Sequence, residues 1–342
     1  MPPGLKDVAA RAGVSIKTVS NVVNGYVHVA PETRARVQEA IDALGYVPNP
    51  AARRLRGGLS GVIALAVPDL RSPYFAELAG HVVAAAAPRG WTVLIDQTDG
   101  RGDRELDLVA GLHRHAIDGI ILSPVATPAA ELTSRHGVPS VLLGERNSRG
   151  PVDHVAIDSV AAAADATRHL LGLGRRRIAV IGAPDRPTAV TRQHRLAGYR
   201  TALADAGIAA RAGFAVPVGG LHRADGAEAM ARLLDTGARP DAVFCCTDLL
   251  ALGAIRTLLE RDIDVPGDVA VIGFDNIDAA RYSMPTLSTI DPHNERIAQI
   301  AVDLLGERLG ERPATAPPPR EIRVEHRVIA RESTLGRPPR RR

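Results

Sequence analysis

From Gly61 onward the chain repeats one device, a short apolar run followed by a helical stretch. VIALAV (62–67), WTVLI (91–95), GIILS (119–123), PSVLL (139–143), RIAVIG (177–182), DAVFCC (241–246) and VAVIG (269–273) read as strands buried on both faces. Residues 74–89, 159–173, 196–206 and 249–261 between them read as helices. Strands without polar alternation need cover on both sides, and helices interleaved with them supply it, so the pattern demands an α/β architecture with parallel sheets. Seven or more strands in a chain of 342 residues predict two such units.

The first sixty residues break the pattern. A short helix over 6–12 turns Val8, Ala9 and Ala12 inward, and Gly13 stands where a left-handed residue must end it. Ser15 is a good N-cap for a second helix, VSIKTVSNVVNG (14–25), whose Val19, Val22 and Val23 want a core. Its Lys17, Asn21 and Asn24 share another face. Helix, tight turn and helix form a helix-turn-helix, and the exposed start of the second helix suits a major groove. Lys17 can donate to guanine, Asn21 can pair with adenine, and Ile16 can touch a thymine methyl. Ser15, Thr18 and Ser20 would hold phosphates. An ordinary amphipathic helix with a solvated face has the same outline.

A third helix runs from Pro31 to Leu44, with Val37, Ile41 and Leu44 completing the core and Gly45 ending it. Then comes GYVPNPAARRLRGG (45–58). Asn49 can cap a helix that Gly57 and Gly58 terminate, too short to persist alone in water. It groups Arg53, Arg54 and Arg56 around an exposed Leu55. Folding on DNA explains the set, with arginines along the minor groove and Leu55 as a wedge between base steps; a flexible basic linker is the alternative.

Charge points to the same end. The net charge of +4 comprises eight basic and four acidic side chains in residues 1–60, four Arg and no acid in the last eight, and −4 over 61–334. A basic N-terminal segment on a mildly acidic body implies a polyanionic partner there. PATAPPPRE (313–321) reads as a linker before a final strand, and RPPRRR as a basic tail.

In doubly wound folds ligands collect beyond the carboxyl ends of strands. The segments following the runs hold Tyr74 and Phe75, Arg195 and Asp275. An Arg and an Asp beside aromatic rings suit a small polyhydroxy or heterocyclic ligand. Helix starts, turn caps and surface ion pairs would also accommodate these residues.

LKDVAARAGVSIKTVSNVVNG (5–25) with PETRARVQEAIDALGYVPNPAARRLRGG (31–58) resembles the headpiece and hinge of the LacI/GalR family of bacterial transcription regulators, and the similarity extends along essentially the whole chain. The resemblance implies that Ile16, Lys17 and Asn21 read bases, and that Ala52, Arg53, Leu55 and Arg56 of the hinge helix enter the minor groove. It implies a body similar to the two-lobed periplasmic-binding-protein fold, with Arg195 of RLAGY, Asp275 of GFDN, Tyr74 and Phe75 on the effector, and Asp158, Leu221 and Thr247 nearby. Two departures stand out. Asn21 occupies a position where the family more often has Arg, and Ala30 replaces the usual Ser or Thr cap before Pro31, which costs about 1 kcal/mol.

The implied domains are a headpiece (1–46), a hinge (47–60), an effector-binding and dimerisation body of two lobes (61–333) and a basic tail (334–342). The implied function is a ligand-responsive repressor of carbohydrate-utilisation genes, released from a pseudo-palindromic operator by a small sugar. A solute-binding receptor and a purine-type corepressor-dependent repressor are the alternatives. The partners are an operator duplex, a small effector and a second copy of the chain, with dimer and tetramer both open. Nothing at the start resembles a secretory leader, and no run approaches the roughly 18 apolar residues of a membrane span, so the expected compartment is the cytoplasm.

Enzymatic readings find no footing. GLGRRR precedes a strand and lacks the third Gly of a dinucleotide fingerprint, and neither a Walker loop nor GxSxG occurs. His113 and His115 would point to opposite sides of a helix. Cys245 and Cys246 are adjacent, with Cα atoms about 3.8 Å apart against the roughly 4.4 Å a disulfide needs, so both should be buried free thiols. No cofactor and no metal are expected.

Overall fold

The computed structural model describes residues 3–23, 26, 28–46, 59–110, 117–128, 131–132, 138–144, 151–185, 189–310 and 317–337. The chain divides into two compact units, Met1–Ser60 and Gly61–Arg342. Asn24, Asn49, His113, His115 and the expected hinge helix with Ala52, Arg53, Leu55 and Arg56 lie outside the described residues.

The first unit contains α1 (Leu5–Ala12), α2 (Ile16–Val23) and α3 (Pro31–Leu44). Their core is Val8, Ala9, Ala12, Val19, Val22 and Val37 with Ala40, while Val23, Ile41 and Leu44 pack partly buried around it. Gly13 and Gly45 close α1 and α3 at φ of 64° and 58°, a conformation that costs a residue bearing Cβ. Arg36 pins the tight turn by donating from Nη2 to the Ala12 carbonyl at 2.6 Å. Ala30 makes no side-chain cap on α3.

Among the described residues the second unit holds three sheets. The first contains β1 (Val62–Val67), β2 (Thr92–Gln97), β3 (Gly119–Leu122), β4 (Ser140–Leu143), β5 (Asp153–Ile157) and β11 (Glu321–Val324) in the order β11-β5-β4-β3-β1-β2, all parallel. The second contains β6 (Ile178–Ala183), β7 (Ala215–Pro217), β8 (Ala242–Cys245) and β9 (Ala270–Ile272) in the parallel order β7-β6-β8-β9. β10 (Thr289–Asp291) and β12 (Arg327–Ile329) form an antiparallel pair. The helices are α4 (Pro73–Ala86), α5 (Gly102–Ala110), α6 (Ser159–Gly172), α7 (Val190–Asp205), α8 (Arg223–Asp235), α9 (Asp248–Glu260), α10 (Ala279–Tyr282), α11 (Asn294–Gly310) and α12 (Glu332–Leu335).

These sheets belong to two lobes that the chain enters more than once. After β5 it leaves the first lobe for α6; after β10 it returns, and α11 packs on α4 and on β3, β4 and β5; after β11 it crosses again through β12. The second lobe is closed by two glycine-mediated helix pairs. A Cβ on Gly198 of α7 would lie 2.1 Å from the Val160 carbonyl of α6, and one on Gly253 of α9 would lie 2.0 Å from the Arg223 carbonyl of α8.

Three expectations need correction. β2 is not buried on both faces: it sits at the sheet edge, pairs only with β1, and leaves Leu94 and Ile95 45% and 41% exposed. The helix expected from Leu196 begins at Val190, because TRQHR continues the periodicity without a breaker, so Arg195 lies inside α7. α4 stops at Ala86, where Pro88 turns the end into a short 3₁₀ segment, Ala87–Arg89. Cys245 and Cys246 are fully buried and free, as read from their adjacency.

Candidate functional site

In the headpiece unit, Ser15 caps α2, its Oγ accepting from the Thr18 amide at 3.0 Å and meeting the Thr18 hydroxyl at 2.8 Å. Lys17 is exposed, Ile16 is 42% exposed and Asn21 is half-buried, so the start of α2 presents a cation, an apolar tip and an amide. Ser20 departs from expectation. It is 6% exposed, because residue 20 follows Val19 onto the packed side of the helix, and this takes its hydroxyl away from a phosphate-contacting role.

In the larger unit, a cavity opens where carboxyl ends of strands from both sheets meet. Ser123 follows β3, Leu143 and Gly144 end β4, and Phe274 and Asp275 follow β9, with Tyr74 and Arg195 completing the wall. Arg195 is 9% exposed, with its guanidinium 3.5 Å from the centroid of the Phe274 ring. Its Nη1 lies 3.7 Å from Asp275 Oδ1 and donates to the Cys246 carbonyl, while its buried Nε has no hydrogen-bond partner among the described residues. Flat stacking on a ring leaves the in-plane N–H edge for polar contacts.

Asp275 is held by backbone and neighbours together. It adopts φ of 114° and Asn276 φ of 51°, left-handed values that persist only where surroundings enforce them. The Asp275 amide donates to the Ile290 carbonyl at 3.0 Å, and Asn276 Oδ1 accepts from Arg331 Nη2 at 2.7 Å. Asp248, wholly buried, anchors the same loop, accepting from the Ile277 amide at 3.0 Å and the Thr289 hydroxyl at 2.6 Å. Burial first, then the charge of Asp275, push the Asp248 pKa well above the carboxylate range.

Polar contacts between described residues cross the cleft. His222 Nε2 lies 3.2 Å from Asp69 Oδ2, and Glu77 Oε1 accepts from the Asp278 amide at 2.9 Å.

Of the residues expected from sequence, Tyr74, Arg195 and Asp275 come together. Four others do not line the cavity. Phe75 packs edge-on against Tyr74, ring centroids 4.9 Å apart, with its partly buried side chain against the core. Asp158 caps α6, accepting from the Ala161 amide at 2.9 Å, and pairs with Arg323. Thr247 caps α9 by accepting from the Leu250 amide at 3.2 Å, and Leu221 is 38% exposed. Sequence reasoning missed Phe274, Ser123 and Asp248. The run GFD, an aromatic beside the expected carboxylate at a strand end, was the available signal for the first.

A helix-turn-helix unit and a two-sheet body with a charged, aromatic-lined cleft define a DNA-binding regulator that senses a small molecule. The chain belongs to the lacI family of bacterial regulatory proteins. That family model matches residues 4–49, and a periplasmic-binding-protein-like domain matches 167–334. Catabolite control protein A of Priestia megaterium is 32% identical over 331 residues, 96% of this chain and 98% of that protein. The lac repressor dimer bound to operator and the anti-inducer ONPF is 26% identical, with a TM-score of 0.84 over 98% of this chain and 100% of that one. A LacI family regulator from Enterococcus faecium with bound ribose is 28% identical, with a TM-score of 0.70 over 81% and 100%. This chain is therefore a ligand-responsive DNA-binding repressor and not an enzyme. Among the described residues no helix is long and apolar enough to cross a membrane.

Proposed function

We propose that this repressor acts as a homodimer on a pseudo-palindromic operator of carbohydrate-utilisation genes in the cytoplasm, and leaves the operator when a small sugar fills its cleft. The observation that carries the reading is Arg195, stacked on Phe274 and 3.7 Å from Asp275, in a cavity that Tyr74 also lines. Charged groups bond sugar hydroxyls through directed hydrogen bonds, and aromatic faces cover the apolar face of the ring. A relative with ribose bound supports the class of ligand.

The exposed apolar groups Val83 on α4 and Leu94 and Ile95 on β2 support self-association of the first lobe, and the lac repressor structure is a dimer. In a two-fold dimer, Lys17, Asn21 and Ile16 of each headpiece would read one half-site, Ser15 and Thr18 would meet phosphates, and the two hinge segments would meet at the operator centre through Ala52, Arg53, Leu55 and Arg56. Release requires the sugar to bind two lobe arrangements unequally, since equal affinity shifts nothing.

The test is to sequence genomic fragments retained by the purified protein, with and without a panel of sugars, and to repeat it with Arg195→Ala. The expected result is a palindromic site released by one sugar in the wild type and held by the variant. Normal release from Arg195→Ala would place the effector elsewhere.

A further inference from the structure

We infer that Asp118 is a positioning residue for operator binding: it grips Gly61, where the chain enters the body, and so fixes the spacing of half-sites that the repressor accepts. The inference rests on the reading of the protein as a two-fold dimer on paired half-sites.

The grip falls on two consecutive residues. Asp118 Oδ2 accepts from the Gly61 amide at 2.7 Å, and the Asp118 amide donates to the Val62 carbonyl at 2.7 Å. From the other side of β1, the Thr92 amide donates to the Gly61 carbonyl, also at 2.7 Å. Gly61 is therefore held from both strands that flank β1, β2 through Thr92 and β3 through the residue before it. A bond to a carboxylate is stronger than one between neutral groups. Gly61 itself has φ of 73°, a left-handed value that turns the preceding residues off the line of β1.

Asp118 has little room to give way. A Cβ on the next residue, Gly119, would stand 2.8 Å from Leu305 Cδ1 of α11 and 3.2 Å from the Pro139 carbonyl oxygen, so the start of β3 is tightly enclosed. Beyond the other end of β3 comes Ser123, in the cavity wall, its amide donating to the Ala66 carbonyl at 2.9 Å. One short strand joins the cleft to the grip on Gly61.

Releasing Gly61 would free about one residue in each protomer, or about 3.5 Å of extended chain. Two protomers together gain about 7 Å, and base pairs stack roughly 3.4 Å apart, so the slack amounts to about two base pairs. A longer free connection also lowers the effective concentration of the second headpiece at its half-site.

The test uses full-length protein and a library of random duplexes. Wild type, Asp118→Ala, Asp118→Asn and a chain with one glycine inserted between Ser60 and Gly61 are each put through selection, and the body's thermal midpoint is measured beside it. Wild type should enrich paired half-sites at one spacing. Asp118→Ala and the inserted chain should keep the half-site sequence but accept about one or two base pairs more or fewer, with affinity at the wild-type spacing down roughly tenfold. Asp118→Asn keeps an acceptor oxygen and should keep the spacing. A lowered midpoint in Asp118→Ala with the wild-type spacing intact would make the residue a structural clamp only and overturn the inference. Relaxed spacing in Asp118→Asn would assign the effect to charge and overturn it as well. Where Asp118→Ala does not fold, the inserted chain decides, and an unchanged spacing there refutes the role of the grip. A wild type without any preferred spacing would instead refute the reading of a dimer on paired half-sites.

Discussion

Gly198→Ala tests whether close helix approach in the second lobe sets the position of Arg195. Gly to Ala inside a helix ordinarily stabilises by about 1 kcal/mol, because the unfolded chain has fewer conformations to lose. Here the new Cβ would stand 2.1 Å from the Val160 carbonyl oxygen, 2.9 Å from the Ala164 amide nitrogen and 3.0 Å from Ala163 Cβ. The first two are backbone atoms and cannot swing aside. To restore contact distance, α6 and α7 must separate by about 1 Å along a seam that includes Ala163, Tyr199 and Ala202, all at most 2% exposed. Overpacking of this kind costs about 1 to 3 kcal/mol or more, so the helix-propensity gain is overrun and the net loss should be about 2 kcal/mol. Thermal unfolding followed by circular dichroism should show the body's midpoint falling by about 4–8 °C. Arg195 sits nearly one turn before Gly198, so sugar-driven release from DNA should need more ligand. A midpoint equal to or above wild type would mean the seam has slack, and the argument from the glycine would be wrong.

Three further outcomes are expected. Ser15→Ala removes the cap on the Thr18 amide and should cost about 1 kcal/mol of headpiece stability, read as faster hydrogen exchange in α2; unchanged exchange would show the cap idle. Lys17→Ala should relax preference at one position of each half-site by about 1 to 3 kcal/mol in a randomised-operator selection, and an unchanged profile would remove Lys17 from base reading. Asp153→Asn breaks a buried pair with Arg308, at 2.7 and 2.9 Å, and should cost about 2 to 4 kcal/mol near neutral pH. Burial tends to raise the Asp153 pKa, but the bonds and charge of Arg308, aided by Arg320, hold it below its ordinary value. A carboxyl depressed in the folded state contributes stability above its unfolded pKa and loses it as the pH falls through the folded one. The wild-type advantage in denaturation midpoint should therefore shrink below about pH 4. An advantage constant across that range would show that Asp153 acts only by packing.

Much of the architecture was legible because the physics is local. Buried parallel strands are mostly apolar, and six of them announced themselves; Gly13, Ser15, Pro31 and Gly45 mark helix ends by conformational rules that need no tertiary context. What escaped notice depends on partners distant in sequence. β5 reads DHVAI, with Asp153 buried against Arg308, a pairing across 155 residues that makes a polar start acceptable in a strand. β10 and β12 are three residues each and exist because they find one another. The exposure of β2 follows from its place at the sheet edge, which VLI does not reveal. For the candidate site, Asp275 stood out as a charge just after a strand, and Arg195 as one in the segment following another strand, which the structure places inside α7. Asp158 and Thr247 stood in similar places and proved to be helix caps, a role the same residue types fill whenever a helix follows a strand.

The chain passes between its lobes three times, after β5, through β10 and through β12, the latter two hydrogen-bonded side by side. A single tether would leave the lobes free to swivel in any direction, and the work of binding would be scattered over many motions. Three tethers, two of them laced together, resist sliding and swivelling and yield mainly to bending about one axis. The joint thus acts as a filter: of whatever a ligand does in the cleft, mainly the component along that one bend can be transmitted.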